Sequence, residues 1–286
     1  MTKICIIGAN GYIGRHVSQD LMKRGHEVTA LSSRDGTGID PQTGLLPTSL
    51  HLDGVEAVIF AAQSPHYRNV PKMAWHLEAV ACAAALQAAT AAQQAGVRRF
   101  VYLSTGNVYA PSFEPLTEEA PVSMAQWYPM SKLHGEQALM ALSQVIQITL
   151  LRIFAVYGPG QDDKLIPRLA SQVDARKAVT VSYRNPGTPD SGLRLNPCYI
   201  EDSVAVIRQL ALEGGPSVLN LAGPDIVGVR DIASVWGKLR GIEPIFEPDA
   251  KARAFDLIGD TTRLRAYAGH RFIGIEEGLA RMAIPA

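Results

Sequence analysis

The stretch that most constrains this chain is Lys3 to Gly14, KICIIGANGYIG. Ile4, Cys5, Ile6 and Ile7 make an apolar run of the length of a buried strand. Glycines follow at three-residue spacing, Gly8, Gly11 and Gly14, and helical periodicity begins at Tyr12. A dinucleotide phosphate needs that order. Gly8 permits a tight exit from the strand, and Gly11 lets backbone N–H groups approach a pyrophosphate. Gly14 lets the next helix lie close to the sheet, with its positive end toward the anion. The spacing is G-x-x-G-x-x-G rather than G-x-G-x-x-G, and taken alone it also describes a plain glycine-rich turn.

The rest of the chain alternates strand and helix. Residues 12–24 read as a helix closed by Gly25, and EVTAL at 27–31 as a second strand. An acidic residue after that strand would receive the ribose hydroxyls of NAD. Here Ser32, Ser33 and Arg34 stand there, a set that suits a 2′-phosphate, so NADP(H) is favoured over NAD(H). The competing reading leaves Arg34 solvated and gives the ribose to Asp35. Residues 36–52 are loop-like, with a short strand expected around Ile39 and Asp40. VEAVIFAA at 55–62 is a buried strand, and small side chains at Ala61 and Ala62, before Gln63, leave room for a cofactor across its end. The alanine-rich 79–96 is a helix. RFVYLST at 99–105 is a strand, 128–142 a helix and 146–156 a strand.

This alternation predicts an α/β fold, a Rossmann-type doubly wound parallel sheet with a smaller C-terminal substrate-binding lobe. The expected dinucleotide-binding domain is 1–158 with a returning segment at 197–222. The smaller lobe takes 159–196 and 223–286. After Gly160 the pattern is looser, with helices at 165–173, 202–212 and 229–239 and strands at 179–183 and 218–221.

Composition bounds the partners. Among 286 residues the formal net charge is zero and no basic run stands out, so neither nucleic acid nor an anionic membrane is expected. The three cysteines, Cys5, Cys82 and Cys198, are too scattered for a metal site. They fit a reducing, cytoplasmic compartment. The long apolar segment 79–96 carries Gln87, Thr90, Gln93 and Gln94, which suits a membrane poorly.

Two further features supply chemistry. Tyr128 and Lys132 are four residues apart, so on a helix they share one face about 5–6 Å apart. A nearby ammonium favours a phenolate, so the pair can move a proton to or from an alcohol near neutral pH. Leu103-Ser104-Thr105 ends the strand 99–105, where ligands of open parallel sheets bind, and a hydroxyl there can hold a carbonyl oxygen in line with Tyr128. With the glycine stretch, these residues imply hydride transfer at a carbinol or ketone carbon.

At this point the chain resembles an extended short-chain dehydrogenase/reductase of the NAD-dependent epimerase/dehydratase family. The matching segments are IIGANGYIG at 6–14, GVEAVIFAA at 54–62, GVRRFVYLSTGNVYA at 96–110, YPMSKLHGE at 128–136, LLRIFAVYGPG at 150–160, RLNPCYIEDSVA at 194–205 and LNLAGP at 219–224. The resemblance implies Tyr128 as catalytic acid/base, Lys132 as its partner and Thr105 as the catalytic hydroxyl. It implies a cofactor site of Gly8, Asn10, Gly11, Tyr12, Ile13 and Gly14, with Ser32, Ser33, Arg34, Ala61, Ala62, Gln63, Tyr128 and Lys132. Asn107 and Arg194 become substrate contacts, together with Thr105. The implied substrate is a nucleotide sugar, and the implied assembly a homodimer through the helices at 75–95 and 128–142. Departures are Val80-Ala81-Cys82, where the family often has an asparagine, and Arg152-Ile153-Phe154-Ala155 in place of R-P-x-N. Thr105 is followed by Gly106 and Asn107 rather than an acidic pair, which argues against dehydration.

LTEEAP at 116–121 and SKLHGE at 131–136 are similar to segments of nucleotide-sugar 4-ketoreductases. The leading expectation is therefore an NAD(P)-dependent oxidoreductase that reduces a keto group of a nucleotide sugar or a related compound. The alternatives are a nucleotide-sugar epimerase that retains its cofactor and a non-catalytic cofactor-sensing protein.

Overall fold

The computed structural model of the chain describes residues 1–185 and 187–284. In chain order, the first elements are β1 (Lys3–Ile7), α1 (Tyr12–Lys23), β2 (Glu27–Leu31) and β3 (Ala57–Phe60). α2 (Ala74–Glu78) runs through a π-helical turn (Ala79–Ala84) into α3 (Ala85–Gln94). β4 (Arg99–Thr105), α4 (Trp127–Met140), β5 (Gln147–Ile153), β6 (Val156–Tyr157), α5 (Leu165–Asp174) and β7 (Val179–Val181) follow. Then come β8 (Arg194–Leu195), β9 (Cys198–Tyr199), α6 (Ile200–Glu213), β10 (Val218–Leu221) and β11 (Val227–Gly228). The chain ends in α7 (Val229–Arg240), β12 (Phe246–Pro248), α8 (Thr262–Ala268) and α9 (Ile275–Ala283).

Six strands form the main sheet in the order β10-β5-β4-β3-β1-β2. β1 pairs in parallel with both β2 and β3, and β3 with β4. Alternation along the strands explains why both faces need cover. Cys5, Ile7, Val58, Phe60, Phe100, Tyr102, Ile148 and Leu150 belong to one core cluster. The intervening Ile4, Ile6, Ala57, Ile59, Val101, Leu103 and Leu151 are also buried. On the first face, Ala84, Ala85, Ala88, Ala89 and Ala92 press the helix onto the sheet. The rings of Phe60, Phe100 and Tyr102 stack in that layer, with centroids 6.4 and 5.8 Å from Phe60.

The chain divides into two compact units. The first comprises Met1–Val108, Pro121–Arg152 and Val204–Leu219. The second comprises Tyr109–Ala120, Ile153–Ser203 and the chain from Asn220 onward. In the second unit β6 pairs with β9, β7 with β12 and β8 with β11. There Asn196 and Gly259 exchange two hydrogen bonds, at 2.8 and 2.9 Å. Among the described residues, no helix is long and apolar enough to cross a membrane.

Two local expectations change. No strand forms at Ile39 and Asp40, because the Asp40 carboxylate instead accepts the amides of Gln42 and Thr43, at 2.7 and 3.0 Å, and closes a turn. The alanine-rich helix starts earlier, at Ala74, and is not regular. In its π-helical turn the Ala81 carbonyl accepts the buried Tyr102 hydroxyl at 2.8 Å. α4 crosses this turn at Gly135, where a Cβ would overlap the Ala81 carbonyl and lie 2.7 Å from the Tyr102 hydroxyl. Gly135→Ala is expected to destabilise the protein by roughly 1–3 kcal/mol through overpacking. Urea unfolding checks this, and a change within about 0.5 kcal/mol, as at an ordinary surface site, would contradict the crossing.

Candidate active site

The strand order reverses between β1 and β3, and in open parallel sheets the ligand crevice lies at the C-terminal ends flanking such a reversal. The glycine turn leaves β1 at that point. Gly8 has φ +90°, and a Cβ there would sit 2.7 Å from the Ala62 backbone nitrogen. A Cβ on Gly14 would strike the Gly8 carbonyl oxygen. The turn is thus pressed between the end of β3 and the start of α1, with no room for side chains. α1 begins at Gly11 with no side-chain cap and no acidic residue in its first turn. Its leading amides therefore lack an internal anionic partner, and this cradle fits a dinucleotide pyrophosphate. Gly8, Gly11, Tyr12, Ile13 and Gly14 are the residues that would hold it.

The turn after β2 is closed by its own side chains. Ser32 is buried, and its hydroxyl oxygen accepts Asn10 Nδ2 at 2.8 Å and the Arg34 amide at 3.1 Å. Ser33 and Arg34 are exposed. Asp35 stands in the same turn, where the Thr37 hydroxyl donates to it at 2.6 Å. That bond, with the Thr37 amide, holds the Asp35 carboxyl below its usual range.

The reacting end is built by β4 and α4. Thr105, the last residue of β4, is buried and accepts the Asn107 amide at 3.2 Å. Its hydroxyl also hydrogen-bonds the half-buried Tyr128 phenol. Burial pushes that phenol up to about 12, and the Thr105 bond acts in the opposite direction. Lys132, one turn along α4, is buried. Its ammonium donates to the Leu103 carbonyl at 3.0 Å and the Ala62 carbonyl at 3.4 Å, and lies 4.8 Å from the Tyr102 ring centre. Burial brings it down to about 8, against the opposing field of Glu136. The sequence alone suggests a phenol lowered by the lysine. In the structure desolvation dominates, and the ammonium is committed to carbonyls at the ends of β3 and β4.

Beneath this group lies a buried network that spacing alone does not reveal. Arg152 on β5 donates to Glu136 on α4 through Nη2 at 2.6 Å and Nε at 3.1 Å. Ser104, beside Thr105, donates to the same carboxylate. Glu136 sits four residues after Lys132, and that spacing was the only available signal. Tyr67 was also missed; its ring lies 5.8 Å from that of Tyr128. Ala61 is half-buried, Ala62 buried and Gln63 exposed at the end of β3. Asn107 is exposed on the turn after β4. Arg194 belongs to the second unit, where it donates to Asp256 through Nε at 2.8 Å and to the Phe113 carbonyl at 3.1 Å.

The family model described as the NAD dependent epimerase/dehydratase family matches residues 4–222. The chain belongs to this family. It is 27% identical to the UDP-glucose 4-epimerase of Corynebacterium glutamicum over 89% of this chain and 85% of that one. A solved NAD dependent NDP-hexosamine 5,6-dehydratase, TunA, involved in tunicamycin biosynthesis, aligns with TM-score 0.82 and 25% identity, covering 99% of this chain and 96% of its own. The UDP-glucuronic acid 4-epimerase of Bacillus cereus, solved with UDP-glucuronic acid and NAD, aligns at TM-score 0.81 and 22% identity over 98% of each chain. The chain therefore has the Rossmann-like fold of an NAD-dependent epimerase/dehydratase enzyme. Family membership does not support the expected preference for NADP(H). In the closed turn Ser32 faces inward as an acceptor, while Ser33 and Arg34 stay exposed.

The Glu136–Arg152 pair yields a prediction. Arg152→Leu strands a buried carboxylate and is expected to cost about 3–5 kcal/mol in urea unfolding. Glu136→Leu combined with Arg152→Leu should recover most of that loss. A single variant as stable as the parent would contradict the pairing.

Proposed function

We propose that the protein is a nucleotide-sugar epimerase that keeps NAD(H) bound and inverts a carbinol carbon of a UDP-hexose. The observation that carries this reading is the near full-length likeness to a UDP-glucose 4-epimerase, in a chain that has Thr105 at the end of β4 and Tyr128 and Lys132 on α4. Net keto reduction, the leading expectation, has less support. In the two segments that suggested it, Glu118 of LTEEAP accepts the Asn220 amide at 3.0 Å and Glu136 of SKLHGE is the buried partner of Arg152, while Lys132 would serve a reductase and an epimerase alike.

When bound, the dinucleotide supplies the hydride acceptor and the matching donor. The protein's own residues manage position and proton. Tyr128 takes the hydroxyl proton of the carbinol as it is oxidised and returns it after the ketone turns its other face. Thr105 steadies the phenol through their hydrogen bond and holds the substrate oxygen. Lys132 fixes the ends of β3 and β4 and offers its charge to the cofactor ribose. Asp35, rather than Arg34, would receive the adenosine ribose hydroxyls. Asn107 and Arg194 are proposed as substrate contacts, Arg194 toward the diphosphate.

A homodimer through the helices at 75–95 and 128–142 belongs to the same proposal. It is supported by exposed apolar side chains there, Trp75 at 52% and Leu86 at 37% exposure, with Trp127 at 45% beside them. Light scattering on the purified protein tests it, and a monomer at micromolar concentration would refute it.

The decisive assay is conversion of UDP-glucose with no coenzyme added. Epimer formation is expected, and Tyr128→Phe should lower turnover by about 10²-fold or more. A reaction that consumes added NADH or NADPH in step with product would overturn the epimerase reading. Unchanged turnover in Tyr128→Phe would overturn the catalytic assignment.

A further inference from the structure

Next to the reacting end, the first unit holds a buried polar cluster that the proposed chemistry does not use. Ser64 and His76 are 4% and 1% exposed, too deep to be incidental surface groups. Ser64 lies just past the end of β3, and His76 on α2. His76 Nε2 is 3.0 Å from the Pro41 carbonyl, and Nδ1 is 2.9 Å from the Ser64 hydroxyl. A carbonyl only accepts, so Nε2 carries the proton and Nδ1 receives the Ser64 O–H. The Ser64 oxygen in turn accepts the His66 amide at 3.1 Å. The His66 ring stands perpendicular on His76, with centroids 5.0 Å apart. The His66 carbonyl accepts the Asn69 amide at 2.7 Å and closes the turn. Tyr67 projects from this turn, and its ring lies 5.8 Å from Tyr128. The chain of contacts therefore runs from the loop after β2, through His76 and Ser64, to the aromatic neighbour of the proton-handling tyrosine.

We propose that His76 is a positioning residue that acts through Ser64 and the 64–67 turn to seat Tyr67 against Tyr128. Its protonation shifts that contact by reversing the hydrogen bond between His76 and Ser64. The inference rests on the reading of Tyr128 as acid/base, and it adds a regulation of that site by pH. Neutral His76 accepts the Ser64 proton; the imidazolium instead donates from Nδ1 to the Ser64 oxygen. The hydroxyl must then rotate, and that oxygen serves two donors, His76 and the His66 amide, which shifts the turn that carries Tyr67. The titratable groups that face His76 are Asp40, from the loop after β2, and His66. Asp40 favours the imidazolium and His66 opposes it, while burial, the largest influence, lowers the value from 6.5. The neutral arrangement therefore holds at neutral pH and the reversed one forms on acidification, below the ordinary histidine range.

The test is a pH titration from 5 to 8 of the whole protein carrying tyrosines labelled at Cζ, followed by carbon NMR. Tyr67→Phe and Tyr128→Phe assign the two signals. Both are expected to move with the same midpoint as the His76 ring nitrogens, below pH 6.5. His76→Asn, which keeps an oxygen acceptor toward Ser64 and cannot titrate, should leave both signals flat near their neutral-pH positions. Ser64→Ala preserves the titration of His76 and should uncouple the tyrosines from it, which also covers the case of a His76 variant that does not fold. Tyrosine signals that ignore His76 in the parent, or still follow it in Ser64→Ala, would overturn the proposal. The coupling is read without turnover, so it is separate from the Tyr128→Phe assay: activity in that variant defeats the catalytic reading, and absent coupling defeats this one.

Discussion

The site depends on one buried ion pair. Glu136 and Arg152 tie α4 to β5, and Ser104 adds β4 to the same carboxylate. Tyr128 and Lys132 stand on that helix, and Thr105 follows Ser104 on that strand. The pair therefore fixes the spacing between the hydroxyl and the two residues that work with it. A buried pair gains little over an apolar one in stability, because desolvation offsets much of the attraction. Its value here is geometric: it sets one register of α4 against the sheet, and Gly135 allows the close crossing that this register requires.

Burial then sets the chemistry. A phenol pushed up to about 12 and an ammonium brought down to about 8 are both disfavoured in their charged forms. The protein without ligands thus holds a neutral tyrosine and a lysine whose charge is steadied by two carbonyls and an aromatic face. The Thr105 hydroxyl already favours the phenolate. In the proposed reaction the phenol would accept a proton once further positive charge is brought to it, as a cofactor bound in the glycine cradle would do.

Much of this was legible in the sequence, for identifiable reasons. The β1–glycine–α1 unit is local, and its periodicities and glycines carry the information. The strand ending in Thr105 and the Tyr128–Lys132 spacing are local too. What could not be read depends on contacts between distant segments. Ser64 and His76 lie in different elements. The π-helical turn reflects a Tyr102 hydroxyl that meets Ala81 from another strand. The cofactor preference cannot be read from Ser32–Arg34, because residue type there says nothing of direction. Only the closed turn shows Ser32 facing inward and Asp35 on the exposed side. The resemblance to 4-ketoreductases rests on segments in which Glu118 and Glu136 are held in internal hydrogen bonds, and such residues do not distinguish reactions within a family.

The central claim is that one hydride leaves and returns to the same sugar carbon without leaving the protein. The most direct measurement is conversion of UDP-glucose deuterated at C4, with no coenzyme added, followed by mass and NMR analysis of the product. The expected product is an epimer that keeps its full deuterium at C4. Loss of the label, or its appearance in a released nicotinamide coenzyme, would contradict it.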